Sequence, residues 1–304
     1  MDWTPGGLSS DVEDRRGDSG GGGGGFGFGG GGGGGLGIVG VVVLVVVSLV
    51  TGHNYIGSYL SGGGQSAPQP RQSQYDDQGS RSGAPVQESA AESRSAQLVS
   101  FTLGKAQAYW QQTLSGEGVQ YRRAKLVLYR GSTYSGCGTA RSSTGPFYCP
   151  ADEKIYMDLG FWDELAKFGG GTAEFAQAYV VAHELGHHIQ NLLGTEQKVR
   201  RLEQQDPDER NHVSVEVELQ ADCFAGMWAK SGEAQGFIHP DDIQGGLKAA
   251  AAVGDDHLQK MERGTVNPDT FTHGSSAQRE KWFTRGLQGG TIDSCNTFGA
   301  GPDL

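Results

Sequence analysis

The sequence predicts an α+β protein in which a small antiparallel sheet is followed by a helical body. Two observations carry this. Short alternating apolar segments lie between residues 124 and 159, and the longer segments of helical period all follow them, with glycines at most of their ends. That class applies to only part of the 304-residue chain, because 52 residues are glycine and most of that excess precedes residue 65.

Residues 1–35 are polar and acid-rich and then almost wholly glycine, a composition that cannot bury a core, and they are expected to form a disordered Gly-rich tail. Residues 36–50 (LGIVGVVVLVVVSLV) are uncharged and dominated by valine, yet shorter than the roughly 20 residues a helix needs to cross hydrocarbon. Glycine upstream and Tyr55 and Tyr59 downstream could complete a single transmembrane segment over 36–55. A buried strand lacks any neighbouring sequence to cover it, and a cleavable signal peptide lacks a clear small-x-small site after Val50. Residues 56–95, rich in Gly, Ser, Gln and Pro, have the composition of a flexible linker.

The folded domain is expected over 96–304. Leu98, Phe101, Tyr109, Trp110 and Leu114 mark a helix, and 124–130 and 154–159 alternate as strands. A Ser-Ser-Thr-Gly turn at 142–145 predicts a hairpin stapled by Cys137 and Cys149. Helices are predicted over 161–168, 172–193, 214–229, 241–253 and 275–285. Four cysteines allow three pairings. Cys137 with Cys149 and Cys223 with Cys295 is the pairing we take, with buried free thiols as the alternative. Either bridge would mean maturation outside the cytosol, which places the N-terminus inside and the domain outside, a single-pass protein of the cell membrane with an extracytoplasmic domain. A formal net charge of -11 with no basic stripe offers no electrostatic reason to bind nucleic acid.

Residues 183–187 read His-Glu-Leu-Gly-His, and on a helix two histidines four apart differ by only about 40° in direction, so both imidazoles can reach one ion. Ala178, Val181, Leu185, Ile189 and Leu192 fall near the opposite side. Glu184 stands beside the histidine face, where a general base acting on a metal-activated water belongs. His188 points about 140° away from His183 and cannot join the same ion, which leaves it to support a ligand from behind or to pack. Gln190 and Leu193 stand where the extended metzincin pattern would need Gly and His, which excludes that pattern. Glu218, in Glu-Leu-Gln-Ala-Asp, is the better third ligand, on a helix whose Ala221 and Ala225 permit close approach; His212, His239, His257 and His273 compete with it. Asp222 could accept the ring N–H of a ligating histidine. Two histidines and a glutamate make a catalytic zinc set with a position left for water, whereas Mg2+ or Ca2+ would take more oxygen ligands. His273 sits on a loop before a helix starting at Ser275 or Ser276, either as a donor to the oxyanion of peptide hydrolysis or as a surface histidine. Arg279 reads as an orienting group for that loop or as a solvated charge. Tyr156 and Asp158 have core and turn readings, or lie on an edge strand that pairs with substrate.

The segments SGCGTARSSTGPFYCPADEKIYMDLGFWDEL, AYVVAHELGHHIQNLLG, EVELQADCFAGMW and FTHGSSAQREKWF occur in that order, and over about 96–298 the chain resembles the putative neutral zinc metallopeptidase family of bacteria. The resemblance implies a zincin-like body of gluzincin type with one Zn2+, its HExxH and ExxxD motifs falling on His183, Glu184, His187, Glu218 and Asp222, with His273 at the THGSS position. It also implies a membrane-anchored endopeptidase acting on proteins or peptides. The rival reading is a noncatalytic envelope adaptor in which zinc only braces the helices.

Overall fold

The computed structural model describes residues 1–18, 88–171, 173–301 and 304. The apolar run at 36–50 and the whole of 36–55 lie outside them; among the described residues no helix is long and apolar enough to cross a membrane.

The chain opens with strand β1 (Val12–Asp14) and resumes with helix α1 (Ala90–Gly116), whose Ser89 side chain accepts from the Glu92 amide and so caps the first turn. Five strands follow: β2 (Lys125–Tyr129), β3 (Ser132–Ser135), β4 (Gly138–Arg141), β5 (Phe147–Cys149) and β6 (Lys154–Asp158). The rest is helical: α2 (Phe161–Lys167), α3 (Glu174–Leu192), α4 (Thr195–Gln205), α5 (Arg210–Ala234), α6 (Pro240–Ala252), α7 (Asp255–Arg263) and α8 (Ser276–Leu287). The order of strands, then helices, is the α+β class the sequence predicts.

The main sheet runs β1-β2-β6-β5, with β1, β2 and β6 parallel and β5 antiparallel to β6. It is a mixed sheet, not the antiparallel one expected. Parallel pairing needs a crossover, and the partners of β2 are contributed from far along the chain, which local alternation does not reveal. Leu126, Leu128, Tyr148, Ile155 and Met157 face the main core, whereas Val127, Tyr129, Phe147, Cys149 and Tyr156 form a second cluster on the opposite face with Ala140.

Four further differences from expectation concern the sheet and the termini. Residues 1–18 are not a disordered head: β1 pairs in register with Leu126, Val127 and Leu128, and the Trp3 indole donates to Glu174 at 2.9 Å. The folded part resumes before residue 96, since α1 starts at Ala90 within the expected linker. No hairpin joins the segments between Cys137 and Cys149, because β4 pairs with β3 and β5 with β6, the expected turn forming a short 3-10 helix at Ser142–Thr144. Strand β6 lies inside the sheet, so Tyr156 and Asp158 are not on an edge open to an incoming peptide; Tyr156 donates to Asp152 at 2.6 Å and Asp158 accepts the Gly131 and Gly160 amides.

Helix α3 is the axis of the molecule. Every residue from 175 to 190 is buried, because α1, α5 and α6 pack around it. It is thus not the half-exposed helix of a surface amphipath, and its polar face is turned inward toward α5. Cys137–Cys149 and Cys223–Cys295 are both bridged, the pairing expected. The second bridge ties the chain's last segment to α5, and cross-links of this kind stabilise chiefly by limiting the unfolded chain.

Candidate metal centre

Helices α3 and α5 touch where both are small. A Cβ placed on Gly186 would stand 3.1 Å from the Cα and carbonyl oxygen of Ala221. This proximity brings the side chains one turn away on either helix into one place. His183 Nε2 lies 3.2 Å from one Glu218 oxygen and His187 Nε2 lies 3.6 Å from the other. The two rings stand perpendicular, 4.8 Å between centroids. One ligand atom from each of His183, His187 and Glu218 falls within 4.8 Å of the others, and all three residues are buried.

The hydrogen bonds behind the rings decide which nitrogen faces the centre. His183 Nδ1 is 2.8 Å from Asp222 Oδ1, and His187 Nδ1 is 2.9 Å from Gln190 Oε1. A carboxylate and an amide oxygen only accept, so each Nδ1 carries the proton and each Nε2 presents a lone pair. Two lone pairs and a carboxylate aimed at one point repel each other unless a cation lies between them. Ligands about 2.0–2.2 Å from a tetrahedral zinc ion stand about 3.3–3.6 Å apart. The donor set therefore fits such an ion, and the two nitrogen–oxygen separations of 3.2 and 3.6 Å come close to that spacing.

Asp222 is itself held. Arg279 donates from Nε and Nη2 to its two oxygens at 2.9 and 3.0 Å, and the Tyr179 hydroxyl donates to Oδ1. Burial works against the Asp222 charge, but Arg279 and His183 overrule it and hold the carboxyl below the usual range. The same neighbours act on His183: burial lowers its pKa, while Asp222 and Glu218 raise it to about 10. They thereby favour a second proton, on the Nε2 that faces Glu218, which a bound cation would displace. Burial likewise opposes the Glu218 charge, and His187 and His183 nevertheless pull its carboxyl far down. Glu184 is the contrast. It is buried and makes no hydrogen bond to the described residues, and burial pushes its pKa up against the pull of His187 and His183.

His273 lies on the loop before α8, near enough to Glu218 for each to feel the other's charge. The Asp255 carboxylate gathers this loop by accepting the amides of Thr272, His273 and Gly274 at 2.6, 2.6 and 3.1 Å, and His273 Nδ1 lies 3.4 Å from it. The imidazole is therefore tethered on its Nδ1 side. Helix α8 then starts at Ser275 with a reciprocal Ser275–Gln278 capping box.

Of the competing histidines, His212 lies 3.9 Å from Glu216, His239 caps α6, and His257 meets the Phe168 carbonyl, so none joins the group. His188 is a packing residue, bonded to the Tyr148 hydroxyl and the Arg122 carbonyl. Arg279, read as an orienting group for the loop before α8 or as a solvated charge, is buried against Asp222. Two supporting residues escaped the sequence reading, of which Asp255 looked like any acid at a helix start. Gln190 had its signal in plain view, three residues after His187 and hence on the same helix face.

Two crossed helices that bring a pair of imidazoles and one carboxylate together define a candidate three-ligand metal centre. The family described as "Putative neutral zinc metallopeptidase" matches residues 1–298, and the chain belongs to it. The uncharacterized protein YpfJ of Escherichia coli K12 is 45% identical over 300 residues, covering 98% of this chain and 99% of that one. The uncharacterized protein Rv2575 of Mycobacterium tuberculosis H37Rv is 45% identical over 210 residues, 66% of this chain and 69% of that one. No solved structure matches the chain.

Proposed function

We propose that the protein is a membrane-attached, zinc-dependent endopeptidase of gluzincin type, hydrolysing proteins or peptides with one Zn2+ held by His183, His187 and Glu218. The observation that carries this reading is the convergence of three ligand atoms with both Nδ1 positions already engaged, so that only Nε2 of each ring is offered to the centre. A zinc ion bound there would supply Lewis acidity and a water acidified to a pKa near 7.

The remaining chemistry falls to the chain. Glu184, buried and without a hydrogen-bonded partner among the described residues, is the base that takes a proton from the attacking water and delivers it to the leaving amine. Its raised pKa suits a group that must both accept and return a proton. His273, whose pKa burial lowers but Asp255 and Glu218 raise by more, is held on Nδ1 by Asp255 and in its protonated form donates from Nε2 to the carbonyl oxygen as negative charge develops there. Asp222 and Arg279 hold the His183 ring in its tautomer. The apolar run at 36–50 is the candidate for membrane attachment.

Glu184→Gln tests the assignment. Peptide cleavage should fall by about 100- to 10,000-fold, the usual worth of a general base, while zinc content stays unchanged. A zinc-loaded wild-type protein that cleaves no peptide, and that loses stability when a chelator removes the ion, would instead favour the adaptor with a structural ion.

A further inference from the structure

The N-terminal segment is built into the fold on the same corner from which the chain re-enters it. Arg15 donates its amide to the Leu128 carbonyl at 2.8 Å, extending the β1–β2 ladder. The Asp11 carboxylate receives Arg123, Lys125 and Gln107. Arg16 is the tightest point: its side chain is 2% exposed, and it binds Asp14 at 2.6 Å, Glu88 at 2.7 Å and Glu92 at 3.3 Å. Arg130, at the end of β2, closes on Glu92 from the other side at 2.6 Å. The last described residues before 19 and the first after 87 therefore belong to one ion-pair cluster.

That closure constrains membrane topology. The hydrocarbon core of a bilayer is about 30 Å thick. One crossing between residues 18 and 88 would put that thickness between Arg16 and Glu88 and between β1 and β2, which are hydrogen-bonded neighbours. Two crossings would satisfy the closure, but each needs about 20 apolar residues, and between 19 and 87 the sequence holds a single uncharged apolar run, at 36–50. We infer that the N-terminal strand and the metal-binding domain stand on the same side of the membrane, and that residues 19–87 make no net crossing. The apolar run is then available to a membrane only from the face on which both of its flanks lie. This replaces the arrangement expected from sequence, N-terminus inside and domain outside, which treated the head as independent of the fold. The inference does not depend on the peptidase reading.

Leu8 and Met261 are 39% and 54% exposed and sit on either side of the segment in sequence, and all four native cysteines are bridged. Leu8→Cys and Met261→Cys, made separately in the full chain and expressed in a bacterial host, can be treated with a membrane-impermeant maleimide before and after permeabilisation. The two variants should show the same ratio of labelling in intact to permeabilised cells. One site labelled in intact cells while the other is labelled only after permeabilisation would overturn the inference. So would intact mass of the purified protein showing a chain that begins beyond residue 50, since β1 would then be absent from the mature fold.

Discussion

At the scale of single residues, the centre depends on how each imidazole is held from behind. Asp222 meets His183 and also neutralises Arg279, a guanidinium that is 3% exposed. Asp222→Asn removes a charge from a fully buried pair, and an orphaned buried cation costs about 3–5 kcal/mol. It also disturbs the His183 tautomer, for which zinc affinity should fall about 10- to 100-fold. Gln190 does the same positioning for His187 with no formal charge, while also donating to the Val217 carbonyl and Gln220. Gln190→Ala should lower zinc affinity within the same range but cost only about 1–3 kcal/mol, the penalty of lost and unsatisfied neutral hydrogen bonds. Competitive zinc titration and denaturant unfolding of both variants separate the effects. Equal losses of stability would contradict the claim that Asp222 chiefly offsets a buried cation.

At the scale of elements, glycines set how closely the helices cross. A Cβ on Gly286 of α8 would stand 2.0 Å from the Cys223 carbonyl oxygen, and one on Gly226 of α5 would stand 2.0 Å from that of Phe283. Backbone meets backbone there, so Gly286→Ala should cost about 3 kcal/mol or more, read as a fall in unfolding midpoint. Gly186 has a gentler contact, 3.1 Å to Ala221, so Gly186→Ala should fold but part α3 from α5 by a few tenths of an ångström. Weaker zinc binding at nearly unchanged stability is the expected result, because the ligands on the two helices move apart together. The sequence made the central helices legible for the same reason that they pack: α3 and α5 carry the motif residues and long apolar stripes. It hid α4, in which only Val199 is buried, and α7, nine mostly polar residues of which only Asp255 and Gln259 are buried. It also hid β1, a three-residue Val-Glu-Asp strand that pairs across more than a hundred positions. The proposed ligand set could be read from spacing within helices, whereas the contacts of Arg279 and Asp255 join distant segments.

For the whole molecule, the proposed zinc ion would be one clasp on the fold and the N-terminal strand is another. The ion would bind only where α3 and α5 are correctly paired, and at a thousand times its dissociation constant it adds about 4 kcal/mol to the folded state. Chelation should thus lower the melting temperature by about 10 °C in a domain of this size. The other clasp answers to acid. For Asp11, burial raises the pKa but Arg123 and Lys125 lower it further, and for Asp14 burial is likewise outweighed by Arg16, so both lie below the ordinary 3.8. A carboxyl whose pKa is depressed by folding binds fewer protons in the folded state. Its stabilising contribution is therefore complete above pH 3.8 and is lost as pH falls through the depressed value. Protonation leaves the guanidinium of Arg16, buried at that corner, without part of its counter-charge. On acidification below pH 4, β1 should thus separate before the helical body unfolds. Hydrogen exchange at residues 11–16, followed beside that of α3, measures this directly, and loss of protection in both at the same pH would show that the strand and the helical core open as a single unit.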